Sequence, residues 1–217
     1  AQDQAGNSAR LSTPIRIDGT PPQAQIHAPA EGDLVRADVI LTATAMDTNF
    51  AGYALFAATP AEAERDSWSL LFEGAAPIDG ATLPTLQGLA QGEWLFRLDV
   101  RDRAGLQARA ERRLRIDAEP PPAPIELTAQ SELPGRVRLT WRGGDAPDLA
   151  GFHVYRHSNE FAERITPAPV PQRQYLDVDV AEGVWAYEVS AVDQVGNESP
   201  PSNRVQIRID LTPPEAL

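Results

Sequence analysis

Aspartate recurs in two settings that could hold a hard cation. Asp3, Asp102 and Asp193 each stand three residues ahead of a glycine between two apolar runs. Asp18, Asp117 and Asp210 each close an alternating apolar segment just ahead of a proline pair. Calcium takes about six to eight oxygen ligands, many from carboxylates. Aspartates gathered at a junction from two modules at once would suit it and stiffen the joint. The competing reading is that each Asp accepts backbone amides of its own turn or linker. No Asp-x-Asp-x-Asp calcium loop is present. Asp18, Asp102, Asp117, Asp193 and Asp210 are therefore the candidate calcium ligands, and no other cofactor is expected.

Other chemistry finds less support. The Gly-x-Ser-x-Gly elbow, the phosphate loop and the His-Glu-x-x-His helix are all missing. His153 and His157 are four apart, a chelating spacing on a helix, but on a strand they stand about 13 Å apart, too far for one ion. They read as a solvated strand face with Tyr155 between them, and His27 as a surface strand residue. Carboxylate pairs such as Asp145 with Asp148, or Asp177 with Asp179, would need to face each other across a cleft to cleave a glycosidic bond. Short turns between strands build no such cleft, so no residue is expected to carry catalysis. Exposed aromatics could stack on sugars, and Trp68 and Tyr155 are the ligand candidates, with core or edge packing as the plainer fate for both.

Composition narrows the setting. The net charge of −12 leaves nothing to offset phosphate repulsion, which argues against nucleic acid as a partner. No stretch of about 18 apolar residues exists, so membrane insertion is not expected. Cysteine is absent and all 19 basic residues are arginine, which removes disulfides, thiolate sites and Lys–Asn isopeptide staples together. Twenty prolines and fifteen glycines punctuate the chain between apolar runs, the pattern of many short strands joined by turns.

A repeat organises these elements. Asp3-Gln-Ala-Gly6-Asn7 leads to Ile15-Arg-Ile-Asp18 and Pro21-Pro22; Asp102-Arg-Ala-Gly105 leads to Leu114-Arg-Ile-Asp117 and Pro120-Pro121; Asp193-Gln-Val-Gly196-Asn197 leads to Ile207-Arg-Ile-Asp210 and Pro213-Pro214. The copies lie 99 and 91 residues apart, the size of one sandwich module. Each reads as a hairpin whose glycine supplies positive φ, then a half-buried strand, then a proline pair that ends pairing and stiffens the exit. Residues 1–19 are thus the last hairpin of a preceding module, 20–117 and 118–212 are two full sandwiches, and 213–217 begin a following linker.

Strands are expected at 25–28, 38–44, 53–58, 67–72, 93–100 and 112–116, with a short helix at 61–65. In the second module they are expected at 125–129, 136–141, 151–156, 174–178, 185–192 and 204–209. Trp94, Phe96, Leu98 and Val100 alternate onto one face, as do Val137, Leu139 and Trp141, and then Phe152 and Val154. Val137-Arg-Leu-Thr-Trp141, Asp148-Leu-Ala-Gly-Phe152-His-Val-Tyr155-Arg156 and Trp185-Ala-Tyr187-Glu-Val189-Ser-Ala191-Val-Asp193-Gln-Val-Gly196-Asn197 resemble strands of bacterial fibronectin type III modules. Residues 20–117 resemble bacterial immunoglobulin-like repeats through the last hairpin and Gln91-Gly-Glu-Trp94-Leu-Phe-Arg-Leu-Asp-Val100. One departure stands out: Trp185 occupies the tyrosine corner, where an indole donates but cannot accept, so the corner bond is expected to be rearranged or missing.

The fold class is therefore all-β, two tandem immunoglobulin-like and fibronectin type III β-sandwiches behind an N-terminal hairpin. The resemblance implies a non-catalytic spacer or interaction array in a longer secreted or cell-surface protein. Its partners would be neighbouring modules of the same protein, other protein chains, or glycans. Three alternatives remain: an adhesin or carbohydrate-binding array, the accessory region of a secreted polysaccharide-degrading enzyme, and a filament subunit whose first hairpin completes a sandwich in another chain.

Overall fold

The computed structural model describes residues 5, 17–158 and 161–212. The N-terminal hairpin expected over 1–19 and the linker expected over 213–217 fall almost wholly outside them. Contacts divide the chain into two compact units, residues 1–33, 40–85 and 93–114 in one, and 34–39, 86–92 and 115–217 in the other.

The first stretch forms β1 (Gln23–Ala28), β2 (Leu34–Arg36), β3 (Thr42–Met46), β4 (Phe50–Ala58), α1 (Pro60–Ala63), β5 (Ser69–Gly74), β6 (Ile78–Thr82), β7 (Gly92–Asp102) and β8 (Gln107–Asp117). Three strands make one sheet in the order β1-β3-β6, and five make the other in the order β2-β8-β7-β4-β5. Alternation places Phe96, Leu98 and Val100 of β7 in the core and leaves Trp94 half-buried at its rim. Leu41, Leu55 and Leu114 close over them at 0% exposure, and each side chain so buried contributes about 1.5–3 kcal/mol. The helix is a single turn opened by Pro60; the Thr59 N–H and hydroxyl both donate to Glu62 Oε2 at 2.8 Å.

The second stretch forms β9 (Pro124–Leu133), β10 (Arg136–Gly143), β11 (Leu149–His157), β12 (Ala162–Arg164), β13 (Gln174–Asp177), β14 (Gly183–Asp193) and β15 (Val205–Ile209). Its sheets run β13-β10-β9 and β12-β11-β14-β15. Val137, Leu139 and Trp141 from the first meet Phe152, Val154, Tyr187 and Val189 from the second in one core. Trp141 and Phe152 pack edge to face with centroids 5.4 Å apart.

One expectation is narrowed here and one corrected. Trp185 Nε1 donates to the Ala181 carbonyl at 2.9 Å, so the corner is not left without a bond, and an indole is its donor. His153 does not sit on a solvated face: it is 6% exposed, with Nδ1 3.3 Å from Thr166 Oγ1. Residues after β12 continue along the edge of β11, where Ile165 N donates to the Val154 carbonyl and the Thr166 hydroxyl accepts the Val154 N–H. His27 is exposed, with Nε2 2.8 Å from Thr44 Oγ1.

Candidate functional site

The repeated turns gather carboxylates twice. Asp18, Asp47 and Asp102 each offer one oxygen within 4.8 Å of the other two, and Asp117, Asp148 and Asp193 do the same. Each triad lies inside one compact unit. The composition is parallel: an aspartate that closes the previous repeat, one from the loop that leads into β4 or β11, and the aspartate that opens the glycine turn. Backbone bonds align Asn49 with Asp148, so Asp47 reaches its triad from two residues earlier in the loop. Arg103 N donates to the Asn49 carbonyl at 2.8 Å, and Gln194 N donates to the Asp148 carbonyl at 2.9 Å. In the ladders Phe50 faces Asp102, and Leu149 faces Asp193.

Glycine makes these turns. Gly105 and Gly196 hold φ at +92° and +87°, which lets the chain fold back and point amides at the aspartate. Asp193 Oδ1 accepts the Val195 and Asn197 amides at 2.9 and 2.8 Å, and its Oδ2 accepts Asn197 Nδ2 at 2.8 Å. That same Nδ2 reaches the Asp117 carbonyl at 3.1 Å. Asp117 Oδ1 accepts the Glu119 amide at 3.3 Å. In the earlier turn Asp102 Oδ1 accepts the Leu106 amide at 2.8 Å. Asp18 accepts the Thr20 amide at 3.1 Å and Asn49 Nδ2 at 2.5 Å; the Asn49 bond first, then the Thr20 bond, hold its carboxyl below the usual range. Asp47 Oδ1 accepts the Asn49 amide at 2.6 Å.

Of the five aspartates singled out in the sequence, four thus fall into two triads. The fifth, Asp210, joins no such group among the described residues; it accepts the Thr212 amide at 2.9 Å, and bonds from Thr212 lower its carboxyl. Sequence reasoning missed Asp47 altogether and considered Asp148 only as a glycosidase carboxylate. Their signal was the shared Ala-Gly-aromatic that follows: Phe50-Ala51-Gly52-Tyr53 beside Leu149-Ala150-Gly151-Phe152.

The two aromatic candidates are engaged with their own module. The Arg97 guanidinium lies 4.3 Å from the Trp68 ring centroid, covering one face of a half-buried indole. The half-buried Tyr155 donates its hydroxyl to Glu198 Oε1 at 2.6 Å, and Ser190 Oγ donates to the same oxygen. A depression of about 400 Å³ lies on the outer face of the five-stranded sheet, around Tyr53, Glu73 and Arg101. No helix among the described residues is long and apolar enough to cross a membrane.

Sandwich topology and the glycine turns define the class: consecutive modules with the fibronectin type III fold. The FN1–FN3 domains of chicken CNTN1 match with a TM-score of 0.59 at 15% identity, over 96% of this chain and 75% of that one. The fibronectin(III)-like modules of Clostridium thermocellum CbhA match at 0.55 and 14%, over 90% of this chain and all of theirs (100%). A curated amylopullulanase of Thermoanaerobacterium thermosulfurigenes is 34% identical over 90 residues, 40% of this chain and 5% of that protein. The chain therefore spans a small fraction of the curated relative it matches. No protein-family model matches the chain.

Proposed function

We infer that these residues are a non-catalytic spacer within a longer secreted multidomain protein. The observation that carries this reading is two successive sandwiches joined by the short run Ala118-Glu-Pro-Pro-Pro-Ala123, between the end of β8 and the start of β9. Three prolines fix φ and donate no hydrogen bonds, so such a connection resists collapse into a flexible tether. The test uses the absence of cysteine: Glu73→Cys and Arg136→Cys, one exposed position in each module, accept a donor and an acceptor dye without competition. Single-molecule energy transfer in a spacer gives one narrow distribution. Replacing 118–123 by glycine and serine broadens it. A distribution equally broad in both would overturn the reading.

A second reading is favoured by one observation, the 34% identical segment in an enzyme named amylopullulanase. On it, the spacer is the accessory region of a polysaccharide-degrading enzyme whose catalytic domain lies outside these residues. Electrophoresis through gels containing pullulan or amylose tests whether the chain also binds glucan. Retardation that is lost in Trp68→Ala would move the function from spacing to carbohydrate binding.

A further inference from the structure

We propose that the first triad, Asp18, Asp47 and Asp102, is a calcium site and that the second, Asp117, Asp148 and Asp193, is its metal-free counterpart. Among their differences, the one that bears on a cation lies four residues after the turn aspartate. Asn197 supplies an amide that donates to Asp193 Oδ2 and to the Asp117 backbone carbonyl, so that carboxylate oxygen already has a neutral donor. The equivalent residue four after Asp102 is Leu106, which has no side-chain donor. Asp102 is only 4% exposed, and its Oδ2 has no hydrogen-bond partner among the described residues. Its Oδ1 is the oxygen turned into the loop, held by the Leu106 amide as Asp193 Oδ1 is held by the Asn197 amide. That leaves Oδ2 as the Asp102 oxygen with no donor of its own among the described residues.

A buried carboxylate oxygen without a donor, beside two more carboxylates, is costly unless a cation joins them. The spacing suits calcium. Two oxygens each bound at about 2.3–2.6 Å lie at most about 5 Å apart, and the three oxygens lie within 4.8 Å of one another. Asn49 is the adjoining amide: its Nδ2 now donates to Asp18, and reversing that amide would present its oxygen instead. Water would complete the shell. Leu106 against Asn197 is thus the determinant, an apolar residue that leaves the oxygen for metal and an amide that takes its place.

The experiment is calorimetric titration of the full chain with calcium chloride after chelator treatment, with thermal unfolding followed in parallel. One calcium per chain is expected, with an affinity in the range of about 10⁻⁴–10⁻³ M typical of extracellular modules. Asp47→Asn should abolish binding, while Asp148→Asn leaves it unchanged. Leu106→Asn, which installs the residue the other turn already tolerates, should weaken calcium by roughly tenfold or more, because the ion must displace a charge-assisted hydrogen bond to Asp102 Oδ2. Far-ultraviolet circular dichroism checks that each variant folds. Absence of binding up to about 10 mM, ten times the weak end of that range, overturns the proposal. So does retention of binding in Asp47→Asn, unchanged affinity in Leu106→Asn, or a second calcium that Asp148→Asn removes.

Discussion

Burial and hydrogen bonding set two protonation equilibria in the second module that act in the same direction. Burial first, and then the nearby Arg164, push the His153 imidazole below its ordinary 6.5. Burial alone would raise Glu198, but the bonds from Ser190 and Tyr155 outweigh it and hold the carboxyl below its ordinary 4.5. Both groups bind protons more readily when unfolded, so both make stability rise with pH. The His153 contribution is complete above pH 6.5 and is lost as pH falls from there toward its folded value. The Glu198 contribution is complete above 4.5 and is lost as pH falls through its own lowered value. Midpoints of chemical denaturation between pH 7 and 3 should therefore fall in two steps, the upper flattened by His153→Gln and the lower by Glu198→Gln. A single step unmoved by either variant would contradict the assignment. The phenol of Tyr187 offers a second check at this scale. It is fully buried and donates to Asp177 Oδ2 at 2.7 Å, beside Arg156 Nη1 at 3.1 Å from the same oxygen. Tyr187→Phe should cost about 1.5–3 kcal/mol, the range for a buried bond to a charged group, measured by urea denaturation.

Strands and turns are unequally legible in the sequence. Long strands with strict alternation, such as β7 and β10, stand out because one buried face writes itself into every second residue. The glycine turns stand out because they repeat. Three strands do not: β2, β6 and β12 are short and lie at sheet edges, and β12 is exposed throughout, so no apolar rhythm marks them. β3 begins at Thr42 rather than Asp38 because Val39 forms only an isolated bridge with Leu86. Part of the acidic site is equally hidden. Asp18, Asp102, Asp117 and Asp193 belong to the repeated hairpin, whereas Asp47 and Asp148 lie on loops that only the fold brings there. Glycine likewise has two meanings that sequence alone does not separate. At Gly105 a Cβ would meet nothing within 4 Å, so its role is the turn's positive φ. Gly151, at φ +154°, is closed in: a Cβ there would lie 2.7 Å from the Val170 carbonyl oxygen and 3.0 Å from its carbon. The Val170 backbone is held in place, since Phe152 and Val170 exchange two hydrogen bonds at 2.9 Å. Gly151→Ala should therefore cost about 1–3 kcal/mol, the range for overpacking. Denaturation of the variant measures it, and a loss under about 0.5 kcal/mol, the level of an ordinary surface change, would show that the 165–170 segment moves aside.

At the scale of the molecule, each unit carries a core of its own, and that predicts how the chain unfolds. Leu98 in the first and Leu139 in the second are both completely buried, at 0% exposure, in the middle of sheets that belong to their own modules. Truncating either to alanine removes the transfer energy of the lost groups and leaves a cavity, at a cost of about 2–5 kcal/mol. Were the chain one cooperative unit, either change would lower a single transition, and the two variants would be thermodynamically alike. With separate cores, calorimetry should resolve two transitions, and Leu98→Ala should lower one while Leu139→Ala lowers the other. Combining them should give additive shifts, because residues in different cores share no packing neighbours. A loss of both transitions together in either single variant would show that the modules fold as one. The calcium site gives the same experiment a second reading. Calcium bound by Asp18, Asp47 and Asp102 stabilises only the folded state of the unit that holds them, by mass action. Added calcium should then raise the transition that Leu98→Ala lowers and leave the other in place, so each transition is assigned by two independent means.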